Sequence, residues 1–147
     1  MLRRPSACVI AGLLAGGVLA GCGGGASAAD AAKVAQTVKR ELGYLAAGNG
    51  AAACALATPS GQTELAGASP SHTCAEAIDL VSQNLPPAVK LGLQTAVVKK
   101  VTINGGSATV SNADITSTQG NLSGFLGAGS APTVLTEQPD GSWEIAG

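Results

Sequence analysis

A chain of 147 residues suffices for one domain with a real but modest apolar core, and is short for more than one. Eight basic residues against nine acidic ones leave a formal charge of -1, which argues against nucleic acid as a partner. One Trp, one Tyr and one Phe argue against a binding surface built on aromatic anchors.

The first element in chain order is a signal. Arg3-Arg4 is followed by apolar or small residues from Ala7 to Leu19 and then by Leu19-Ala20-Gly21-Cys22. A charged start, a short apolar run and a small-residue cleavage site make a signal peptide. The run is shorter than the roughly 20 residues of a membrane span. Its last four residues look like a bacterial lipobox, after which the cysteine is lipidated. The expectation is a signal over 1–21 and a lipid-bearing Cys22, with 22–29 as a flexible tether through Gly23-Gly24-Gly25. Loss of Arg3 and Arg4 makes the mature chain more acidic. Attachment to the membrane would therefore rest on acyl chains at Cys22, and the location would be the outer, extracytoplasmic face of the cell membrane.

The remaining residues, 30–147, read as a single domain. Ser27 to Asp30 can cap a helix in which Val34, Val38, Leu42 and Leu45 form one stripe. Lys33, Lys39, Arg40 and Glu41 form its solvated face, and Gly48-Asn49-Gly50 stops it. Asn49 can cap a short helix from Ala51 to Ala57, and Thr58-Pro59 opens another that reaches about Leu65. Thr73-Cys74-Ala75-Glu76 is a capping box. Cys74, Ile78, Val81 and Leu85 then share a stripe, and Pro86-Pro87 ends that helix.

Cys8 leaves with the signal and Cys22 takes lipid, so Cys54 and Cys74 remain. On the oxidising side of a membrane a disulfide is the simplest pairing. A loop of that length stabilises the fold by roughly 3 kcal/mol in the chain-entropy model. Free thiols are the alternative, and a metal site with nearby His72, or a redox pair, fits less well still: four zinc ligands are not at hand and the spacing is not Cys-x-x-Cys. No metal or cofactor is expected.

From about Gln94 the period becomes two. Val97, Val101 and Ile103 precede the hairpin turn Asn104-Gly105-Gly106, and Ala108 and Val110 return. A Gly/Ser-rich stretch over 117–130 leads to a closing hairpin with its turn at Pro139-Asp140-Gly141, which pairs Leu135 with Ile145. Helices followed by antiparallel strands predict an α+β fold, with N-terminal helices packed on a curved sheet.

The order of these motifs carries a resemblance. A first helix ending Leu-Ala-Ala-Gly-Asn-Gly is followed by Ala-Cys-Ala-Leu-Ala-Thr-Pro, a second cysteine opens a helix, and a last hairpin reads Asp-Gly-Ser-Trp-Glu-Ile. The chain resembles small secreted lipoproteins of high-GC bacteria with a nuclear transport factor 2-like (cystatin-like cone) domain. The resemblance implies a sheet wrapped against helices around a cavity. The scarcity of aromatics and the glycine-rich middle depart from the enzymes of that superfamily.

The candidates for chemistry are few. Hairpin parity puts Val97, Lys99, Val101 and Ile103 on one face with Ala108, Val110, Asn112 and Asp114, which would gather Lys99, Asn112 and Asp114 at its far end. Asp114 is then a candidate base at a cavity mouth, and a solvated sheet end is the plainer alternative. Tyr44 stands where superfamily enzymes place a pocket residue. His72, the Glu76–Asp79 pair, Trp143 and the sequon Asn121-Leu122-Ser123 read as structural or incidental. The expectation is a non-catalytic lipoprotein that binds a small apolar ligand or a protein at the cell surface. The alternatives are an isomerase, dehydratase or cyclase using Asp114, and a structural or regulatory partner in an envelope complex.

Overall fold

The computed structural model describes residues 27–67, 73–122, 125–126 and 131–146. The signal, Cys22, His72 and Ser123 lie outside the described residues. Among those described, no helix is long and apolar enough to cross a membrane.

Helix α1 (Ala28–Ala47) starts within the segment expected to be tether. Ser27 Oγ accepts from the Asp30 amide at 3.0 Å and donates to the Asp30 carboxylate at 2.7 Å. The second bond holds the Asp30 carboxyl below its usual range. Val34, Val38, Leu42 and Ala46 are buried, and Gly48 closes the helix in the left-handed region at φ 67°. Helix α2 (Gly50–Cys54) is shorter than expected. Leu56 and Thr58 leave it to pair with the last strand: the Ile145 amide donates to the Leu56 carbonyl, and the Thr58 amide to the Ile145 carbonyl, each at 2.8 Å. Sheet pairing thus overrides the local helical preference of an Ala-rich segment.

Helix α3 (Pro59–Gly67) follows, and α4 (Cys74–Asn84) starts on its box, with Thr73 accepting from the Glu76 amide at 3.2 Å. Cys54 and Cys74 are disulfide-bonded across a Cα–Cα distance of 6.1 Å. Two expectations are corrected here. The spacing puts Val81 on the inward stripe of α4, yet it is 44 % exposed; the buried positions are Cys74, Ala77, Ile78 and Ser82. Pro86-Pro87 ends α4 but also begins α5 (Pro87–Gln94), with proline in its first turn, where the missing N–H is no loss. Leu93 of this helix is among the most buried side chains of the domain.

The strands are β1 (Ala96–Val98), β2 (Thr102–Asn104), β3 (Ser107–Val110), β4 (Ile115–Ser117), β5 (Thr133–Glu137) and β6 (Trp143–Ile145). β2-β3-β5-β6 form a four-stranded antiparallel sheet, and β1-β4 a separate antiparallel pair. The fold is α+β, helices against a curved antiparallel sheet. The first hairpin turns at Gly105-Gly106, with Ile103 opposite Ala108, and Gly105 sits at φ 58°. The second pairs Leu135 with Ile145 as expected.

Parity fails farther from the first turn. Lys99 to Val101 belong to no strand, and Asn112–Asp114 form a single 3-10 turn. Beyond this break Val98 faces Ile115 and Val97 faces Thr116, so Ala96 and Ile115 are buried while Thr116 is exposed. The two interruptions lie at the same level of one long hairpin and reset which side points inward.

The main core lies between α1, α5 and the sheet. Val34, Val38, Leu93, Val110 and Leu135 have essentially no exposed surface, and Trp143 is buried beside them. Each such aliphatic side chain contributes about 1.5–3 kcal/mol by leaving water. A second, smaller cluster joins Ala53, Cys54, Cys74 and Ile78, with Tyr44, Leu45 and Leu65 against it.

Candidate functional site

The second cluster stands at the close crossing of α2 and α4. Gly50 makes that crossing possible: a Cβ there would run into the Ala75 carbonyl and stand 2.7 Å from the Asp79 carboxylate. Asp79 Oδ1 accepts from the Gly50 amide at 2.7 Å, so it serves the start of α2 rather than its own helix alone. With the disulfide, this bond ties the two helices together.

An apolar cleft of about 350 Å³ opens beside this crossing. Its walls are Leu45 of α1, Ala53 of α2, Leu65 of α3, Ala77, Ile78 and Val81 of α4, and Phe125. Among the described residues, the one ionisable side chain lining it is Glu41 of α1. Glu41 is half-buried, and its carboxyl is shielded by the surrounding side chains while remaining open to the cleft. Burial pushes that carboxyl up to about 7. Among the described residues no hydrogen bond or ion pair reaches it, and the one ion pair is Lys33 with Asp30, at 3.4 Å. A carboxyl without a partner in an apolar wall is poised to take one from a bound molecule.

The charge pattern of α1 assigns Glu41 to its solvated face, and the structure corrects this. The signal is present in the spacing: Glu41 is seven residues after Val34 and four before Leu45, in phase with the apolar stripe.

The residues singled out from sequence lie elsewhere. Asp114 is half-buried in the 3-10 turn, and its backbone carbonyl accepts from the Lys99 amide at 2.7 Å. The Lys99 side chain is exposed, and Asn112 Nδ2 donates to the Ala131 carbonyl at 3.2 Å. The expected cluster of Lys99, Asn112 and Asp114 on one inward face is therefore not assembled, because the strand breaks intervene. Tyr44 packs against the disulfide cluster under the Arg40 guanidinium, 5.9 Å from its ring centre.

Two further clefts are more polar or lie on an open face. One, of about 490 Å³, runs between α1 and the closing hairpin past Lys33, Arg40, Asp140 and Glu144. In it Lys33 Nζ donates to the Gly141 carbonyl at 3.2 Å, and the Ser142 hydroxyl holds the Asp140 carboxyl below its usual range. The other, of about 590 Å³, follows the outer face of α1 from Ala32 to Arg40. None of the three is lined by Asp114, Lys99 or Tyr44. Among the described residues no group of three His, Cys, Asp or Glu side chains could hold a metal ion. Comparison with protein-family models, curated proteins and solved structures gives no match to this chain.

Proposed function

We propose that this chain is an extracytoplasmic lipoprotein, held to the cell membrane by lipid on Cys22, whose cone-type domain binds a small apolar ligand without transforming it. The observation that carries the binding role is the apolar cleft of about 350 Å³ beside the disulfide. Its size lies in the range of small-molecule sites, and it combines apolar walls with one convergent polar group. The lipobox Leu19-Ala20-Gly21-Cys22 carries the location. The disulfide agrees with an oxidising compartment.

Binding is favoured over catalysis by the content of the cleft. General acid–base work on a substrate needs a donor or acceptor opposite the base, and among the described residues the cleft offers a single carboxyl against apolar walls. The alternative reading, Asp114 as base in an isomerase, dehydratase or cyclase, would use a residue that lines none of the three clefts described above.

The test is mass spectrometry of the chain extracted from its native membrane. The expected result is acyl mass on Cys22, absent in Cys22→Ser, and a small apolar molecule that Val81→Trp displaces from the cleft mouth. A full-length chain without acyl mass, or an empty cleft indifferent to Val81→Trp, overturns the corresponding half of the proposal.

A further inference from the structure

We infer that the molecule bound in this cleft is a small apolar amine, its ammonium group paired with Glu41. The inference rests on the ligand-binding reading above and adds the chemical class. Its basis is the distribution of charge around the cleft. Helices α2, α3 and α4 form most of the wall, and they carry Glu64, Glu76 and Asp79 but no Lys or Arg. On α1, Lys39 and Arg40 are exposed and line other clefts, with Arg40 over Tyr44. Phe125 and Leu126 bring no charge.

Helix α5, packed against α1, carries the half-buried Lys90, which does not line the cleft; among the described residues the lining charge is Glu41 alone, so the wall favours a cation over an anion. Asp79 is already engaged with the Gly50 amide, and Glu64 and Glu76 are exposed. Among the described residues, Glu41 alone combines a place on the cleft wall with a carboxyl that has no protein partner. An apolar body of roughly ten non-hydrogen atoms fits the space at about 30 Å³ per water-sized group. An ammonium on that body would leave water only to meet a carboxylate that is itself poorly solvated. Such a pair is stronger than one at the surface. A fatty acid or phosphate ester would face the same carboxyl with like charge.

Protonation adds a second signature. Glu41 ionises around pH 7, whereas an alkylamine stays charged to about pH 10, the lysine range. Affinity for the amine therefore rises with pH across neutrality, and affinity for a neutral isostere does not.

The experiment is equilibrium dialysis of 1-adamantylamine and 1-adamantanol against phosphatidylcholine nanodiscs, with and without the full-length chain. The expected result is amine binding about tenfold tighter at pH 8 than at pH 5.5, with the alcohol flat over that range. Glu41→Gln should abolish the rise and bring the amine down to the affinity of the alcohol. Val81→Trp should weaken both. If amine and alcohol bind alike, or Glu41→Gln keeps the amine preference, the ligand class is wrong and the cleft remains a binding site. If neither probe binds at either pH, the binding site itself is refuted, and the amine with it.

Discussion

Helix α1 serves two apolar clusters. On one flank Val34 and Val38 pack with Leu93, Val110, Leu135 and Trp143 into a core closed by α5 and the sheet. On the other, Leu45 and Tyr44 meet a cluster of four buried residues, two of them the disulfide cysteines. The first is large enough to hold itself together by burial. The second is too small for that, carries a covalent link, and leaves a cleft in which a carboxyl sits without a partner among the described residues. A closed core is where stability resides. A small stapled cluster can tolerate a destabilising group, and such tolerance is where binding sites are found.

Three variants probe that contrast. The largest effect belongs to the closed core. Leu135→Ala should cost about 2–5 kcal/mol, since the residue is fully buried between strands and helices that cannot collapse into the gap. Urea titration measures it, and a loss under about 1 kcal/mol would mean that this core is less tightly filled than its burial indicates.

Next comes the staple. Removing Cys54 and Cys74 together by alanine should lower stability by roughly 3 kcal/mol in the chain-entropy model. The same variant should lose ligand binding, because Ala53 and Ile78 of the cleft wall flank the bond. Hydrogen exchange should show the opening confined to α2–α4, with α5 and the four-stranded sheet still protected. Uniform loss of protection would show that the two clusters unfold as one.

The smallest effect concerns Glu41, and its sign follows from linkage. Its carboxyl ordinarily titrates near 4.5 and is raised to about 7 in the fold, so the folded state holds the proton more tightly. Stability is then full below about pH 4.5 and falls as pH rises to about 7. The fall is at most about 3–4 kcal/mol, since each tenfold gain in proton affinity on folding is worth about 1.4 kcal/mol, and water entering from the open cleft reduces it. Glu41→Gln should remove this fall, leaving the urea midpoint nearly the same at pH 5 and pH 8. Asp30 and Asp140 are shifted downward, so their contributions change below this window. A wild-type midpoint that does not fall between pH 5 and pH 8 would mean that water reaches Glu41 freely.

Much of this architecture is legible in the residues alone. The Ser27 and Thr73 caps, the stripe of α1, both hairpin turns and the pairing of Leu135 with Ile145 are written in local stretches of chain, where caps, turns and periodicity act. The Cys54–Cys74 pair, 20 residues apart, follows instead from which cysteines the signal and the lipid leave over. The site is not legible in the same way. Glu41 sits in phase with the apolar stripe, yet nothing local says that α2 to α4 will fold over that flank. Only the Gly50 crossing, the Asp79 bond and the disulfide bring them there. The placement of Asp114 fails for a related reason: strand parity carries inward and outward along a chain only while pairing is unbroken, and the 3-10 turn resets it. The sequence alone determined α1 to α4, both hairpin turns and the pairing of the last strands, but not α5, whose Pro86-Pro87 start reads as a stop. Tertiary packing decided which face of α1 was covered twice and where the α4 stripe stayed open, because desolvation of a side chain depends on neighbours far away in sequence.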